Sequence, residues 1–180
     1  MTSLYQPEFF AGRRETVTLS ASVVVPIICE LLEPQSVLDV GCGQGEWLEA
    51  FAWRVPDYLG VDIAAPESPQ FLVRDARLPL EIGRRFDLVV CLEVGEHLPE
   101  SSADTLVDSL ARHGDEVVFS AAVPGQEGKG HINCQPHEYW HQKFFERGFE
   151  MSDSIRPLIA HDTRVSPWYR DNIFFYWRAS

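Results

Sequence analysis

The segment that most constrains the fold of this chain is residues 37–45, with the sequence VLDVGCGQG. A short, mostly apolar run covers residues 36–40, and glycines follow it at alternate positions, 41, 43 and 45. A stretch with helical spacing, 46–53, comes directly after them. A run of this length bounded by turn residues indicates a buried strand. Glycines after such a strand let the backbone turn sharply and let a ligand approach the main chain closely. The segment therefore predicts a strand, a turn and a helix beside a ligand.

Strand and helix patterns alternate through the first two thirds of the chain. A helix is predicted over 16–32, kinked or restarted near Pro26. A second helix is predicted over 101–112. The later runs that indicate strands are 58–63, 70–74, 86–92 and 116–122. Alternation of this kind predicts an α/β fold, with parallel βαβ units and a sheet that carries helices on both faces.

The last third has a different pattern. Residues 136–147 indicate an aromatic-rich helix, and 149–155 and 172–178 indicate two further strands. The segment 172–178, NIFFYWR, alternates too little for a half-exposed edge strand, which favours an inserted strand buried on both faces. The length of 180 residues predicts one domain, 1–180.

The composition favours a small-molecule ligand. There are 27 acidic and 15 basic residues, a formal net charge of -12, whereas a nucleic-acid binder needs a basic footprint for phosphates. We expect no membrane span, because the longest apolar run, 23–29, contains Pro26 and stops at Glu30. The start of the chain lacks a signal-peptide pattern, and no two of the four cysteines have CxxC spacing. These features predict a cytoplasmic protein, monomeric or homodimeric, with no nucleic-acid partner.

Acidic residues follow successive predicted strands. Asp62 ends the second strand, where a carboxylate accepts hydrogen bonds from ribose hydroxyls, and Asp75 follows the third. In an open α/β sheet, ligands bind at this carboxyl edge. Glycines alone would also be compatible with a purely structural turn, but the acids favour a ligand site. Asp87 stands just before the fourth strand, and we interpret it as structural, orienting the start of that strand.

The order of these motifs resembles that of class I S-adenosylmethionine (SAM)-dependent methyltransferases. LDVGCGQG, Asp62, the pair at 75–76 and FDLVVCLE at 86–93 are similar to the family's first four motifs, within residues 30–125. The resemblance implies a Rossmann-like seven-stranded sheet of order 3-2-1-4-5-7-6, with the last strand antiparallel and beside the fifth. Residues 172–178 would be that strand.

The resemblance also implies a SAM site. Asp39 would help to hold the amino group, Asp62 the ribose and Asp75 the adenine, while Glu93 would lie near the reacting methyl. The implied cofactor-binding residues are Asp39, Gly41, Cys42, Gly43, Asp62, Ile63, Asp75, Ala76, Leu92 and Glu93.

A hydroxyl acceptor must lose a proton, so a general base is useful. Our first candidate is His131, which follows a glycine-containing loop, 124–130, able to close over substrate. The alternative for His131 is a surface-loop histidine. The second candidate is His97, for which the alternative is to orient Glu93 or a backbone carbonyl.

A metal is an alternative to a base. Glu93, Glu96 and His97 form an ExxEH motif that resembles the metal-binding cluster of small-RNA 2′-O-methyltransferases and some quinone O-methyltransferases. Two carboxylates and an imidazole suit Mg²⁺ or another hard to borderline divalent ion, with His131 as a fourth ligand. The same motif also occurs without a metal in relatives of this fold, and Pro99 argues against a helical presentation.

The acceptor pocket of this fold is built from the N-terminal segment and the insertions after the late strands, here 1–14, 124–140 and 156–170. The candidate acceptor contacts are Tyr5, Tyr139, Trp140, Arg164 and Trp168. The alternative is that half of the aromatic residues are core and that the arginine is a solvated surface charge.

The segments HINCQ at 131–135 and WYRDN at 168–172 resemble methyltransferases of bacterial polysaccharide and natural-product gene clusters. This implies O-methylation of a sugar or secondary metabolite. An RNA or protein methyltransferase and a non-catalytic SAM-binding domain remain the rival hypotheses.

Overall fold

A computed structural model of the protein describes residues 14–179. Its centre is one seven-stranded sheet of order β3-β2-β1-β4-β5-β7-β6. The strands are β1 (Ser36–Val40), β2 (Asp57–Asp62), β3 (Phe71–Val73), β4 (Leu88–Leu92), β5 (Glu116–Ser120), β6 (Phe149–Ser152) and β7 (Phe174–Arg178). The first five strands pair in parallel, and β7 is antiparallel to both β5 and β6. The predicted order and the antiparallel final strand are confirmed.

Six α-helices surround the sheet in the described residues. They are α1 (Arg14–Leu32), α2 (Glu46–Phe51), α3 (Ala103–His113), α4 (His137–Phe145), α5 (Arg156–Ile159) and α6 (Pro167–Asn172). The last strand begins at Phe174, two residues later than predicted, because Pro167 at the first helical position starts α6, which extends to Asn172. This shift places Asn172 at the carboxyl edge of the sheet, at the end of a helix.

Successive residues of the central strands enter two different cores. Val89 and Cys91 of β4 pack in the core that contains residues of α3 and α4. Leu88 and Val90 pack in the core that contains residues of α1, α2, α5 and α6. Full burial of one such side chain stabilises the fold by about 1.5–3 kcal/mol. The prediction of helices on both faces is therefore confirmed.

Helix α1 is more apolar than the sequence analysis expected. By length and composition it could cross a membrane, since its most apolar 18-residue window has a mean hydropathy of 1.7. The expectation that the chain contains no segment of this kind was therefore wrong. A third of that window, 33%, is buried inside the protein, and Val24, Val25 and Ile28 are fully buried against the sheet. A core helix needs the same apolar face. Pro26 lies inside the helix, so α1 continues through the predicted break.

Asp87 has the structural role that we expected. Its Oδ2 accepts hydrogen bonds from the backbone N–H of Gln35 and the hydroxyl of Ser36, both at 3.0 Å. The Ser36 hydroxyl also lies 2.9 Å from the Asp87 backbone nitrogen. These contacts tie the start of β4 to the start of β1, at the edge of the sheet opposite the glycine turn.

Candidate functional site

The glycine turn after β1 closes against the end of β2. The backbone nitrogens of Gly41 and Cys42 lie 2.7 and 3.1 Å from the carbonyl oxygen of Val61. Gly41 has φ +82°, and a Cβ at this position would lie 2.3 Å from Cγ2 of Val94. Gly41 is therefore required both for its backbone conformation and for the close approach of the segment after β4.

The substitution Gly41→Ala is expected to lower the free energy of unfolding by about 2–4 kcal/mol, because it adds left-handed strain and a collision with Val94. Gly83→Ala is a matched control, since Gly83 has φ +80° but nothing within 4 Å of its would-be Cβ. We expect the control to lose only about 1 kcal/mol. Thermal denaturation of both variants measures the difference; equal losses would show that crowding at Gly41 is unimportant.

Two carboxylates stand beside this turn, the half-buried Asp62 and the buried Asp39. Asp62 accepts hydrogen bonds from the backbone N–H groups of Gly43, at 3.0 Å, and Ala64, at 2.8 Å. Asp39 is 2% exposed, and its Oδ2 has no hydrogen-bond partner among the described residues. Burial raises the pKa of Asp39 to about 8, with repulsion from Asp62 and Glu46 adding to the shift. A buried, unsatisfied carboxylate of this kind suits a cationic ligand group such as an ammonium.

The predicted adenine side of the site lies at the ends of β2 and β3. Ile63 is exposed and Ala76 is half-buried there. The carboxylate of Asp75 accepts hydrogen bonds from the backbone N–H and the Nε of Arg77, both at 2.9 Å. The guanidinium lowers the pKa of Asp75. The Asp75 side chain is thus engaged locally in this structure.

The segment after β4 contains another buried carboxylate. Gly95–His97 form a short 3-10 turn, and Glu93 before it has φ +57°, a strained conformation for a residue other than glycine. Glu96 is fully buried, and neither of its carboxylate oxygens has a well-formed hydrogen bond in the described residues. Burial, followed by repulsion from Glu93, raises the pKa of Glu96 well above its usual range. Such a group needs a proton or a cation.

Both candidate histidines face this carboxylate. Nε2 of His97 lies 3.9 Å from Oε1 of Glu96, and Nε2 of His131 lies 4.0 Å from the same oxygen. Nδ1 of each ring lies within hydrogen-bond distance of a backbone carbonyl, that of Gly130 for His97 and that of Gln126 for His131. In a neutral imidazole whose Nδ1–H donates to a carbonyl, the lone pair is on Nε2, which here is the ring nitrogen closer to Glu96. The ligand atoms of the three residues lie within 4.8 Å of one another.

The residues on either side of His131 pack onto the 3-10 turn. The backbone nitrogens of Ile132 and Asn133 lie 2.9 and 3.0 Å from the carbonyl oxygen of Glu96. Gly128 lets the His131 ring approach, since a Cβ there would lie 2.1 Å from its Nε2. Beside the loop is an open cleft of about 690 Å³, lined by Gly125, Gln126, Glu127, Gly128, His131 and Cys134.

The residues predicted to contact the acceptor lie in different environments in the structure. Trp140 is 2% exposed, and its indole packs under Gly95, so it supports the 3-10 turn from the core side. Tyr139 is half-buried, with Nζ of Lys143 4.7 Å from its ring centre, and Trp168 is half-buried. Arg164 is exposed and paired with Asp162. Tyr5 lies outside the described residues.

Two residues near the cluster were missed by the sequence analysis. Asn172 contacts Glu93, His137 and Gln126, and the Gln126 carbonyl accepts from His131. Gln126 follows a Pro-Gly pair, a turn signal that would have placed it at a fixed bend. Asn172 has no comparable local signal, because its partners lie 35 to 79 residues away in the chain.

Comparison with known proteins assigns the family. The profile of a family described as a methyltransferase domain matches residues 21–118, more than half of the chain. The chain belongs to this family. The membership confirms the methyltransferase assignment that the motifs predicted.

The relatives agree with this assignment. The chain is 30% identical to a ubiquinone biosynthesis O-methyltransferase of Pseudomonas syringae, over 78% of this chain and 64% of the relative. It therefore spans less than two thirds of that protein's length. The fold is similar to a sugar N-methyltransferase from Streptoalloteichus, with a TM-score of 0.72, 20% identity and coverage of 96% and 92% of the two chains. An amino pentose methyltransferase from Micromonospora echinaspora gives 0.68, 17% identity and 97% of each chain.

Proposed function

We propose that residues 1–180 form one domain that transfers the methyl group of SAM to a hydroxyl oxygen of a small-molecule acceptor. The glycine turn and the acids at the ends of β1 and β2 would bind SAM, with Asp39 facing its ammonium group and Asp62 its ribose. The unsatisfied Oδ2 of Asp39 supports this orientation. SAM carries its methyl group on a sulfonium, so the protein's task is to align the acceptor and to exclude water.

We further propose that Glu96, His97 and His131 hold a divalent metal ion, with Glu93 as an additional carboxylate beside them. The observation that carries this proposal is the fully buried Glu96 carboxylate, which lacks a well-formed hydrogen bond and faces two Nε2 atoms at 3.9 and 4.0 Å. Metal–ligand bonds of about 2.0–2.2 Å place two ligand atoms at most about 4.4 Å apart. The ligand atoms here lie within 4.8 Å of one another, so a bound ion would draw the three side chains slightly closer together. The carbonyl contacts of both Nδ1 atoms are the usual outer support of metal-binding imidazoles.

The residues around the cluster define its chemistry. A divalent ion bound there lowers the pKa of a hydroxyl that it contacts. Glu96 and the histidines would orient the acceptor oxygen toward the end of β4, and the adjacent cleft leaves room for the rest of the acceptor. Relatives that carry out O-methylation in ubiquinone biosynthesis support an oxygen acceptor.

Chelation tests the metal directly. The protein is incubated with SAM and a panel of sugars, phenols and amino sugars, and formation of S-adenosylhomocysteine is measured. Excess EDTA is expected to abolish turnover of a hydroxyl acceptor, and Mg²⁺ or Mn²⁺ in excess over the chelator is expected to restore it. Retained SAM binding in EDTA is the control for folding. Full activity in excess chelator refutes the metal, and a panel without any methylated product contradicts the small-molecule acceptor.

A metal-free general base is the second candidate, and the same geometry favours it. His131 lines the cleft, and its Nδ1 is held by the Gln126 carbonyl. An imidazole held in this way accepts a proton from a hydroxyl or an amine. Activity that survives chelation but is lost in His131→Ala selects this candidate.

A further inference from the structure

Both polar atoms of the Asn172 carboxamide form hydrogen bonds within the candidate site. The residue is 1% exposed and stands at the end of α6, immediately before β7. Its Nδ2 donates to Oε1 of Gln126 at 2.9 Å and lies 3.4 Å from Oε1 of Glu93. Its Oδ1 lies 3.1 Å from Nε2 of His137 in α4. One buried side chain thus joins the end of β4, the loop after β5 and α4.

Gln126 transmits this contact to His131. Its side-chain Oε1 also accepts from the backbone N–H of Val123 at 2.7 Å, and its own N–H donates to the Val123 carbonyl. Gly125, between them, has φ +91° and suits such a tight turn. The turn aims the Gln126 carbonyl at Nδ1 of His131, 3.0 Å away. The orientation of the His131 ring therefore depends on where the Gln126 residue is held.

We propose that Asn172 is a positioning residue that couples Glu93 to His131 through Gln126. The inference rests on the proposed function, since it explains how two chain segments 38 residues apart, at 93 and 131, keep a fixed geometry. Asn172 touches neither Glu96 nor the Nε2 atoms that face it, and it acts by fixing the groups around them. The Gln126 carbonyl favours the Nδ1–H tautomer of the neutral His131 ring, in which the lone pair is on Nε2.

The direct test is the tautomer of His131, read from ¹⁵N NMR of histidine-labelled protein at a pH above the ordinary imidazole pKa of about 6.5. In the native protein His131 is expected as the Nδ1–H form. Asn172→Ala and Asn172→Asp both remove the donor to Gln126, so a signal for the Nε2–H form of His131 is expected to appear. His113 is an internal reference, because Nδ1 bonds the Ser109 carbonyl and Nε2 accepts from Ile82 N–H.

A metal titration provides the second measurement. Asn172→Ala is expected to weaken Mn²⁺ binding by about 10- to 100-fold, as for other outer supports of metal-binding histidines, and to leave SAM affinity unchanged. Ser109→Ala is the matched control for general loss of stability. Ser109 is buried and bonds Leu80 N–H. The control is expected to change neither the His131 tautomer nor Mn²⁺ affinity.

Gln126→Met keeps the proposal testable if Asn172 variants do not fold, since Gln126 is only half-buried. Methionine has similar length but offers no carboxamide oxygen, so the His131 tautomer is expected to shift as it does in Asn172→Ala. An unchanged His131 tautomer in the folded variants overturns the inference. The tautomer is read without metal, SAM or acceptor, so a protein that binds no metal refutes only the metal proposal.

Discussion

Glu96→Gln is expected to abolish binding of Mg²⁺ or Mn²⁺ and to reduce methyl transfer at least about 100-fold. Glutamine has nearly the shape of glutamate but no negative charge, so two imidazoles would remain without the buried carboxylate that faces them. A ligand present at 100 times its Kd stabilises a protein by about 2.7 kcal/mol. We expect this metal-dependent rise in Tm in the native protein and its loss in Glu96→Gln.

In the absence of metal, Glu96→Gln is expected to have the opposite effect on stability. Burial raises the pKa of Glu96 in the folded protein. The fold therefore loses stability as the pH rises above about 4.3, which is the pKa of a glutamate in an unfolded chain. Glu96→Gln removes that charge, and its metal-free Tm is expected to equal or exceed that of the native protein at neutral pH. Glu100→Gln, in an exposed position of the next turn, is the matched control. A Glu96→Gln variant that retains metal-dependent stabilisation would refute the proposed ligand set.

Asp62→Ala is expected to weaken SAM binding by about 100-fold. Hydrogen bonds to charged groups contribute about 1.5–3 kcal/mol each, and the proposed ribose contact would be lost. The variant also removes the acceptor of the Gly43 and Ala64 N–H groups, so the glycine turn loses one of its links to the end of β2. Both effects act on SAM and leave the Glu96 cluster in place. Calorimetric titration with SAM measures the change, and Mn²⁺ affinity is expected to stay the same.

The control for Asp62 lies in the same strand. Asp57 begins β2 and forms a surface ion pair with Arg84, so Asp57→Ala removes a carboxylate at the opposite end of the strand. We expect no change in its SAM affinity. The variant Asp62→Asn keeps one acceptor oxygen and is expected to fall between the native protein and Asp62→Ala. Equal SAM affinity of Asp62→Ala and the native protein would remove Asp62 from the site.

The local chemistry of the first half of the chain was readable from the sequence. The glycines after β1, the acid at the end of β2 and the structural role of Asp87 all depend on residues next to a strand end, where backbone geometry dictates the residue type. Hydrophobic periodicity located the strands for the same reason, and the family resemblance supplied their order. The shift of the last strand from 172 to Phe174 came from Pro167, whose preference for a helix start was not considered.

The grouping of the later residues was decided by the tertiary structure. Glu96 and His97 formed a visible motif, but only packing of residues 130–133 onto the 3-10 turn places His131 beside them. Trp140 was read as an acceptor contact, whereas its indole lies in the core under Gly95. A local sequence motif shows which chemical groups are present. Burial and orientation depend on contacts between segments far apart in the chain, and these exist only once the sheet has brought the segments together.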